Sequence, residues 1–263
     1  MSQENSKQAD LSHDELLQQN RDLHQEVEAI HQQSVYLLGV YAETSRKLQI
    51  YSASIKAAVS SLLNHDIFWD GANQYEFLTT INASVSQVSD LTILLTLAFR
   101  AEAGSLTLNL EPQMLQEILS IAQVNALNKF PELALNVSYP TDGKMVLVDY
   151  EYFTKALLLL FEVIYAGRSS RDVRIAASED AAVWLLDFSG INTQLMKTIE
   201  QMYNSKTKPA SIDFLSTENI LRLHIVCAVL HLQGISVKVM DRPDQLPIIR
   251  LCVPAMANLS GSV

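Results

Sequence analysis

"DYEYFTKALLLLFEVIYAG", residues 149–167, has the length of a helix and almost nothing polar on it. Leu157, Leu158, Leu159, Leu160 and Phe161 leave no wet face for more than a turn, and Glu162 is the carboxylate inside the run. Working outward, "ELALNVSYP" and "KMVLVDY" precede it as strands around the turn "PTDGK". Before them "SLTLNL" alternates like a strand, and "PQMLQEILSIAQVNALNKF" is helical with Pro112 near its first turn. After it, "VRIAAS" and "VWLLDFSG" pair around "EDA", and "TQLMKTIEQMYNS" is helical. A polar stretch, 204–216, leads to the helix "TENILRLHIVCAVLHLQG", with Thr217 and Glu218 at its start and Gly234 at its end. "ISVKVMDR" and "IIRLCVPA" close as a hairpin around "PDQLP". Helices grouped with mostly antiparallel strands predict an α+β fold with a two-layer α/β sandwich in this part of the chain.

The N-terminal third has a different texture. From His13 a seven-residue period holds for about fifty residues. One seam is Leu16, Leu23, Ile30, Leu37, Thr44, Tyr51 and Ala58; the other runs His13, Asn20, Val27, Ser34, Tyr41, Leu48, Ile55 and Leu62. Paired seams predict a long helix in a coiled coil, and Asn20 favours one register at some cost in stability. A single amphipathic helix folded back on its own chain fits the first half poorly, because "LLQQNRDLHQEVEAIHQQ" is too polar outside the seam to be enclosed. Parallel self-association into a homodimer is the expectation. The run breaks at 64–74, and a second helix follows with Phe77, Ile81, Val85, Val88, Leu91, Leu95 and Ala98 spaced by three and four. Gly104 stands where a helix end wants a left-handed residue. Two such hairpins in a dimer make a four-helix bundle.

Composition narrows the function. The 263 residues are 48% apolar and 18% charged, which describes a globular chain. A net charge of −10 argues against nucleic acid or an anionic membrane surface as partner. No apolar run approaches a membrane span, and "MSQENSKQAD" lacks a signal peptide's basic and apolar regions, so a cytoplasmic location without membrane insertion is expected. Cys227 and Cys252 lack metal-ligand spacing and read as buried thiols. His224 and His231, seven apart, suit a helix face better than a metal site, and Trp184 alternates into the core.

A dimerising helical hairpin followed by this α/β series resembles a bacterial sensor histidine kinase over residues 35–256. In that resemblance 1–34 is tail and coiled coil, 35–103 the dimerisation hairpin, 104–256 an ATPase-like domain of the gyrase, Hsp90, kinase and MutL type, and 257–263 a tail. "LTLNLEPQMLQEILSIAQ" resembles the first strand and helix of that domain, and "VLVDYEYFTKALLLLFEVIYAG" is similar in spacing to its first nucleotide helix. "VWLLDFSGI" resembles an Asp-x-Gly-x-Gly box, and "LRLHIVCAVLHLQGISVKV" with "RLCVPA" the last helix and strand pair.

What the resemblance implies about chemistry fails residue by residue. The phosphate-accepting His would fall near Arg46 or Lys47, and no His lies between 32 and 64. His31 and His65 are the unorthodox alternatives. The two Asn positions of the nucleotide helix fall at Leu159 and Val163, neither able to hold Mg²⁺. A register slip would bring Glu162 to the metal position, but the stripe Phe153, Leu157, Leu160, Ile164 opposes it and turns Glu162 toward solvent or a partner. Asp187 could still bond an adenine amino group, yet Ser189 replaces a glycine and leaves only Gly190. The last helix begins "TENILRL", glycine-free, with Glu218 where phosphate would be repelled.

A degenerate ATP pocket of Leu159, Val163, Asp187, Ser189 and Gly190 therefore predicts no cofactor. The leading expectation is an inactive, dimeric histidine-kinase-like scaffold that holds a response-regulator receiver domain or a kinase. Ile50, Ser54 and Ala57 are the candidate contacts. Alternatives are a phosphotransferase using His31 or His65, and a nucleotide-responsive switch retaining Asp187.

Overall fold

The computed structural model describes residues 2–63, 71–139, 145–167, 172–180, 183–204, 215–242 and 245–255. His65, the turn at 140–144 and most of the polar stretch 204–216 lie outside the described residues.

Two helices lead, α1 (Ser2–Leu62) and α2 (Gly71–Glu102), packed along one another. Leu37, Val40, Thr44 and Ala58 of α1 are buried, as are Ser84, Leu91, Leu94 and Ala98 of α2. The buried line of α1 thus passes through Val40, while Tyr41, Leu48 and Ile55 of the predicted second seam are half-buried at its edge. Tyr41 lies over Phe99 with ring centroids 4.5 Å apart. Farther along α1, Leu16, Leu23 and Val27 are 60%, 54% and 65% exposed on the single chain, and Asn20 between them is exposed too. Gly104 takes φ +61° just past α2, as the sequence predicts. By length and composition α2 is apolar enough to cross a membrane, contrary to the reading that no stretch is. Its apolar residues pack partly on α1 and the α/β unit, while Leu78, Val85, Ile93 and Phe99 keep much of their surface exposed.

The α/β unit begins with β1 (Glu111–Met114), α3 (Leu115–Lys129), β2 (Ala134–Ser138) and β3 (Met145–Val148). The predicted strand "SLTLNL" carries no ladder. Pairing starts at Glu111, opposite Val148, and Pro112 stands in that strand rather than in the first turn of α3. A strand needs a partner, and the partner here is far along the chain. Likewise β2 and β3 are not a pair. β3 joins β1 in a two-stranded antiparallel ribbon, and β2 is the edge of a five-stranded sheet.

Next come α4 (Tyr150–Ala166), β4 (Asp172–Asp180), β5 (Val183–Ser189), α5 (Thr193–Asn204), α6 (Thr217–Leu232), β6 (Ser236–Arg242) and β7 (Gln245–Pro254). The sheet order is β2-β4-β5-β7-β6, antiparallel except for the parallel β2–β4 pair. Helices cover one face. Phe153, Leu157, Leu160 and Ile164 of α4 are buried, with Val173, Ile175, Trp184, Leu186, Phe188, Ile249 and Leu251 from the strands. This is the expected two-layer sandwich. Asp149 caps α4, its Oδ1 accepting from Tyr152 N at 2.9 Å and its Oδ2 from Asn109 N at 2.8 Å. Val40, Leu94 and Ala98 belong to the same continuous core as the sandwich, so hairpin and α/β unit share one interior.

Candidate functional site

The site lies where α4 and α6 meet the hairpin. Leu159 and Val163, a turn apart on α4, are fully buried and bring only carbon to this point. Between them Glu162 is also buried, 8% exposed, so of the two expected surroundings, solvent or a partner, solvent is not what it meets. Its Oε1 accepts from Lys129 Nζ of α3 at 2.7 Å, and its Oε2 from Arg222 Nε of α6 at 2.7 Å. A carboxylate in low dielectric is tolerated only when paired and hydrogen-bonded, and here both oxygens are engaged.

The chain of charges continues. Arg222 donates through Nη1 to Asn219 Oδ1 at 3.1 Å and stands 3.9 Å from Glu218. Glu218 Oε1 accepts from Lys47 Nζ at 2.8 Å. Lys129, Glu162, Arg222, Glu218 and Lys47 thus run in alternating sign from α3 across α4 and α6 to α1. Lys47 is one of the two residues at the expected phosphoacceptor position. The other, Arg46, pairs with Glu43 on its own helix at 2.8 and 2.7 Å, and that pairing holds the Glu43 carboxyl below its ordinary range. The first turn of α6 is closed by its own sequence: Ser216 Oγ accepts from Asn219 N at 3.3 Å, and Glu218 adds negative charge there.

Asp187 is elsewhere. Along β5 the residues Trp184, Leu186 and Phe188 face the helices, and Phe161 of α4 meets Phe188 with centroids 6.3 Å apart. Asp187 and Ser189 have the opposite parity and point to the outer face of the sheet. There Asp187 binds Arg250 of β7 in a two-pronged pair at 2.6 and 2.7 Å, which raises the guanidinium's pKa further. Gly190 does adopt a left-handed φ of +84°, but for a local reason. A Cβ there would come within 2.1 Å of the Asp172 carbonyl oxygen of β4. The five predicted pocket residues are therefore not one cluster: Leu159 and Val163 are in the core, Asp187 and Ser189 on the far face, Gly190 at the sheet's end.

The remaining candidates take simple positions. His31 is exposed on α1, and Ile50 and Ala57 are exposed with Ser54 half-buried. His224 is largely buried and contacts Glu102 Oε2 at 3.1 Å, its pKa lowered by burial against the pull of that carboxylate. Burial pushes the Cys227 thiol up to about 12, so it is unreactive. No group of three or more His, Cys, Asp or Glu able to hold a metal occurs among the described residues. Sequence reasoning missed Lys129 and Arg222. The available signal was that each is the single cation of an apolar helix.

Neither a protein-family model nor a curated protein sequence matches this chain. Solved structures do. The histidine kinase AdeS of Acinetobacter baumannii matches with a TM-score of 0.53 and 13% identity, over 80% of this chain and 98% of that one. The histidine kinase ThkA in complex with the response regulator protein TrrA matches at 0.52 and 12% identity, over 88% of this chain and 66% of that one. Full-length ShkA in complex with AMPPNP matches at 0.51 and 13% identity, over 82% and 45%. The chain has the fold of these kinases, a helical hairpin followed by an α/β sandwich of the histidine kinase ATPase type.

Proposed function

We propose that this chain is a catalytically inactive, histidine-kinase-like scaffold that forms a homodimer and holds a response-regulator receiver domain or a partner kinase. The observation that carries the proposal is the line of charges from Lys129 to Lys47. It places the protein's own ion pairs between the nucleotide helix, the first turn of α6 and the expected phosphoacceptor position. The residues present do not fit a magnesium nucleotide. Leu159 and Val163 offer no oxygen for Mg²⁺, which takes hard oxygen ligands in octahedral geometry. The α6 terminus bears Ser216 and Glu218 where an anion would need free amides. Asp187, held by Arg250, faces away from both.

In this reading the units 1–34, 35–103 and 104–256 serve as coiled coil, docking hairpin and rigid brace, and the chain works without cofactor or membrane insertion. The likeness to ThkA, whose structure holds a response regulator, supports a receiver as partner. The exposed residues Ile50 and Ala57, with Ser54 beside them, give α1 a small apolar surface of the kind such contacts use.

Two measurements test it. Thermal unfolding with millimolar Mg-ATP or Mg-ADP is expected to show no shift. A nucleotide at about 100 times its dissociation constant would add roughly 2.7 kcal/mol and raise the midpoint by on the order of 5 °C, and that result would overturn inactivity at its root. Mixed with receiver domains, the protein is expected to bind one without passing phosphate in either direction. Acid-labile phosphate on the chain, abolished by His31→Ala or His65→Ala, would replace the scaffold with a phosphotransferase.

A further inference from the structure

A cleft of about 530 Å³ opens between the hairpin and the α/β unit, on the α2 side of α4 and beside the charge line. Its walls come from both units: Ile93 and Leu97 of α2, Ile121 of α3, and Tyr152 and Leu158 of α4. Thr92 and Thr96, also on the wall, direct their hydroxyl protons to their own helix carbonyls at 2.7 and 2.8 Å, while Asn125, Tyr150 and Thr154 add polar groups to the lining. A concave, mostly apolar space of this size at a junction of units is the usual form of a small-molecule site.

Two charged groups of α4, Glu151 and Lys155, line it. Lys155 lines the cleft and has no ion-pair partner among the described residues. With Ile93 it forms the wall shared with a smaller space of about 40 Å³, which Asp90, Lys129, Glu162 and Arg222 also line. Lys129 and Arg222 are both held by Glu162, and Asp90 is exposed. Lys155 is thus the ammonium left over, a local positive charge on a chain of net charge −10. Glu151, one turn before Lys155 on α4, also lines the cleft without an ion pair to it, and would repel a second anionic group.

We propose that the cleft binds a free amphipathic monocarboxylate, its head at Lys155 and its apolar tail between Ile93, Leu97, Ile121 and Leu158. Such a ligand touches α2 and α4 together. It therefore binds only while hairpin and α/β unit are docked, and its occupancy shifts the protein toward that arrangement. This gives the chain a chemical input whether or not it holds a receiver.

The test uses the full chain and dodecanoate below its micelle concentration, followed by calorimetry. Saturable binding is expected, weakened about tenfold by Lys155→Met, as loss of a charge-assisted bond implies. Dodecanol, with the same tail and no charge, is expected to bind the native chain and Lys155→Met equally. Ile121→Trp and, on the opposite wall, Thr96→Trp fill the cleft at exposed positions and are expected to abolish binding of both. Absence of saturable binding overturns the proposal, as does Lys155→Met binding dodecanoate as tightly as the native chain. Binding that survives both tryptophans does the same, since the probe would then sit elsewhere.

Discussion

Desolvating a carboxylate in the middle of an apolar helix costs several kcal/mol unless cations meet it, and at Glu162 two do. Glu162→Ala is therefore expected to destabilise the fold by about 3 kcal/mol, read from the urea midpoint, since it leaves Arg222 short of its main partner. Replacing Glu162 and Arg222 together by Met should restore most of that loss; a double variant as weak as the single one would show that the pair is not the cause. Gly190→Ala tests the other local claim. A left-handed φ and the Asp172 carbonyl both oppose a side chain, so a loss of about 2 kcal/mol or more is expected. Neither feature was legible in full. Glu162 reads toward solvent or a partner because the stripe Phe153, Leu157, Leu160, Ile164 claims the core, and the cations that meet it stand 33 and 60 positions away. The outer face taken by Asp187 was legible from its parity, for Trp184, Leu186 and Phe188 are the bulkier set in "VWLLDFSG" and form the inner one.

At the scale of elements, what could be read was what is local. The hairpins β4–β5 and β6–β7, the α4 helix and the glycines ending α2 and α6 follow from short stretches whose partners are adjacent. Ladders that join distant segments, β1 with β3 and β2 with β4, left no mark in the sequence, so "SLTLNL" was expected to pair where it does not. The seven-residue period of α1 was legible, but its face was not fully. A straight helix drifts against a strict heptad, and over the hairpin the buried line moves to Val40. Before Leu37 the seam Leu16, Leu23, Val27 is exposed on one chain, and a second copy is its expected cover. Leu23→Asp with Val27→Asp is expected to weaken the dimer by a hundredfold or so, about 3 kcal/mol, in sedimentation equilibrium. Asn20→Leu should raise the melting temperature while broadening the oligomer distribution. A native chain that sediments as a monomer would refute both.

At the scale of the whole molecule α6 meets α1 and α2, and among the described residues Lys47 to Glu218 and His224 to Glu102 are polar contacts across that seam. The second makes the joint answer to pH. His224 is largely buried, and that burial lowers its pKa below the ordinary 6.5, with the Glu102 carboxylate of α2 pulling the other way and Tyr41 of α1 nearby. As pH falls through the unfolded value, the unfolded chain takes up the proton before the folded one does. Protons bound to the unfolded state exceed those bound to the folded state, so stability falls with pH in that window. The contribution of His224 is thus complete above about pH 6.5, declines below it, and stops declining beneath the lowered folded value. His224→Phe, apolar and close in size, removes the titrating group. Urea midpoints between about pH 5 and 7.5 are expected to fall more steeply for the native chain than for His224→Phe. Glu102→Gln, which takes away the one group that favours the charged imidazole, should lower the folded pKa further and steepen the slope. Equal slopes for the native chain and His224→Phe would mean that this histidine does not couple the hairpin to the α/β unit. Opposite ordering would mean that Glu102 outweighs burial and that the joint tightens, rather than loosens, in acid.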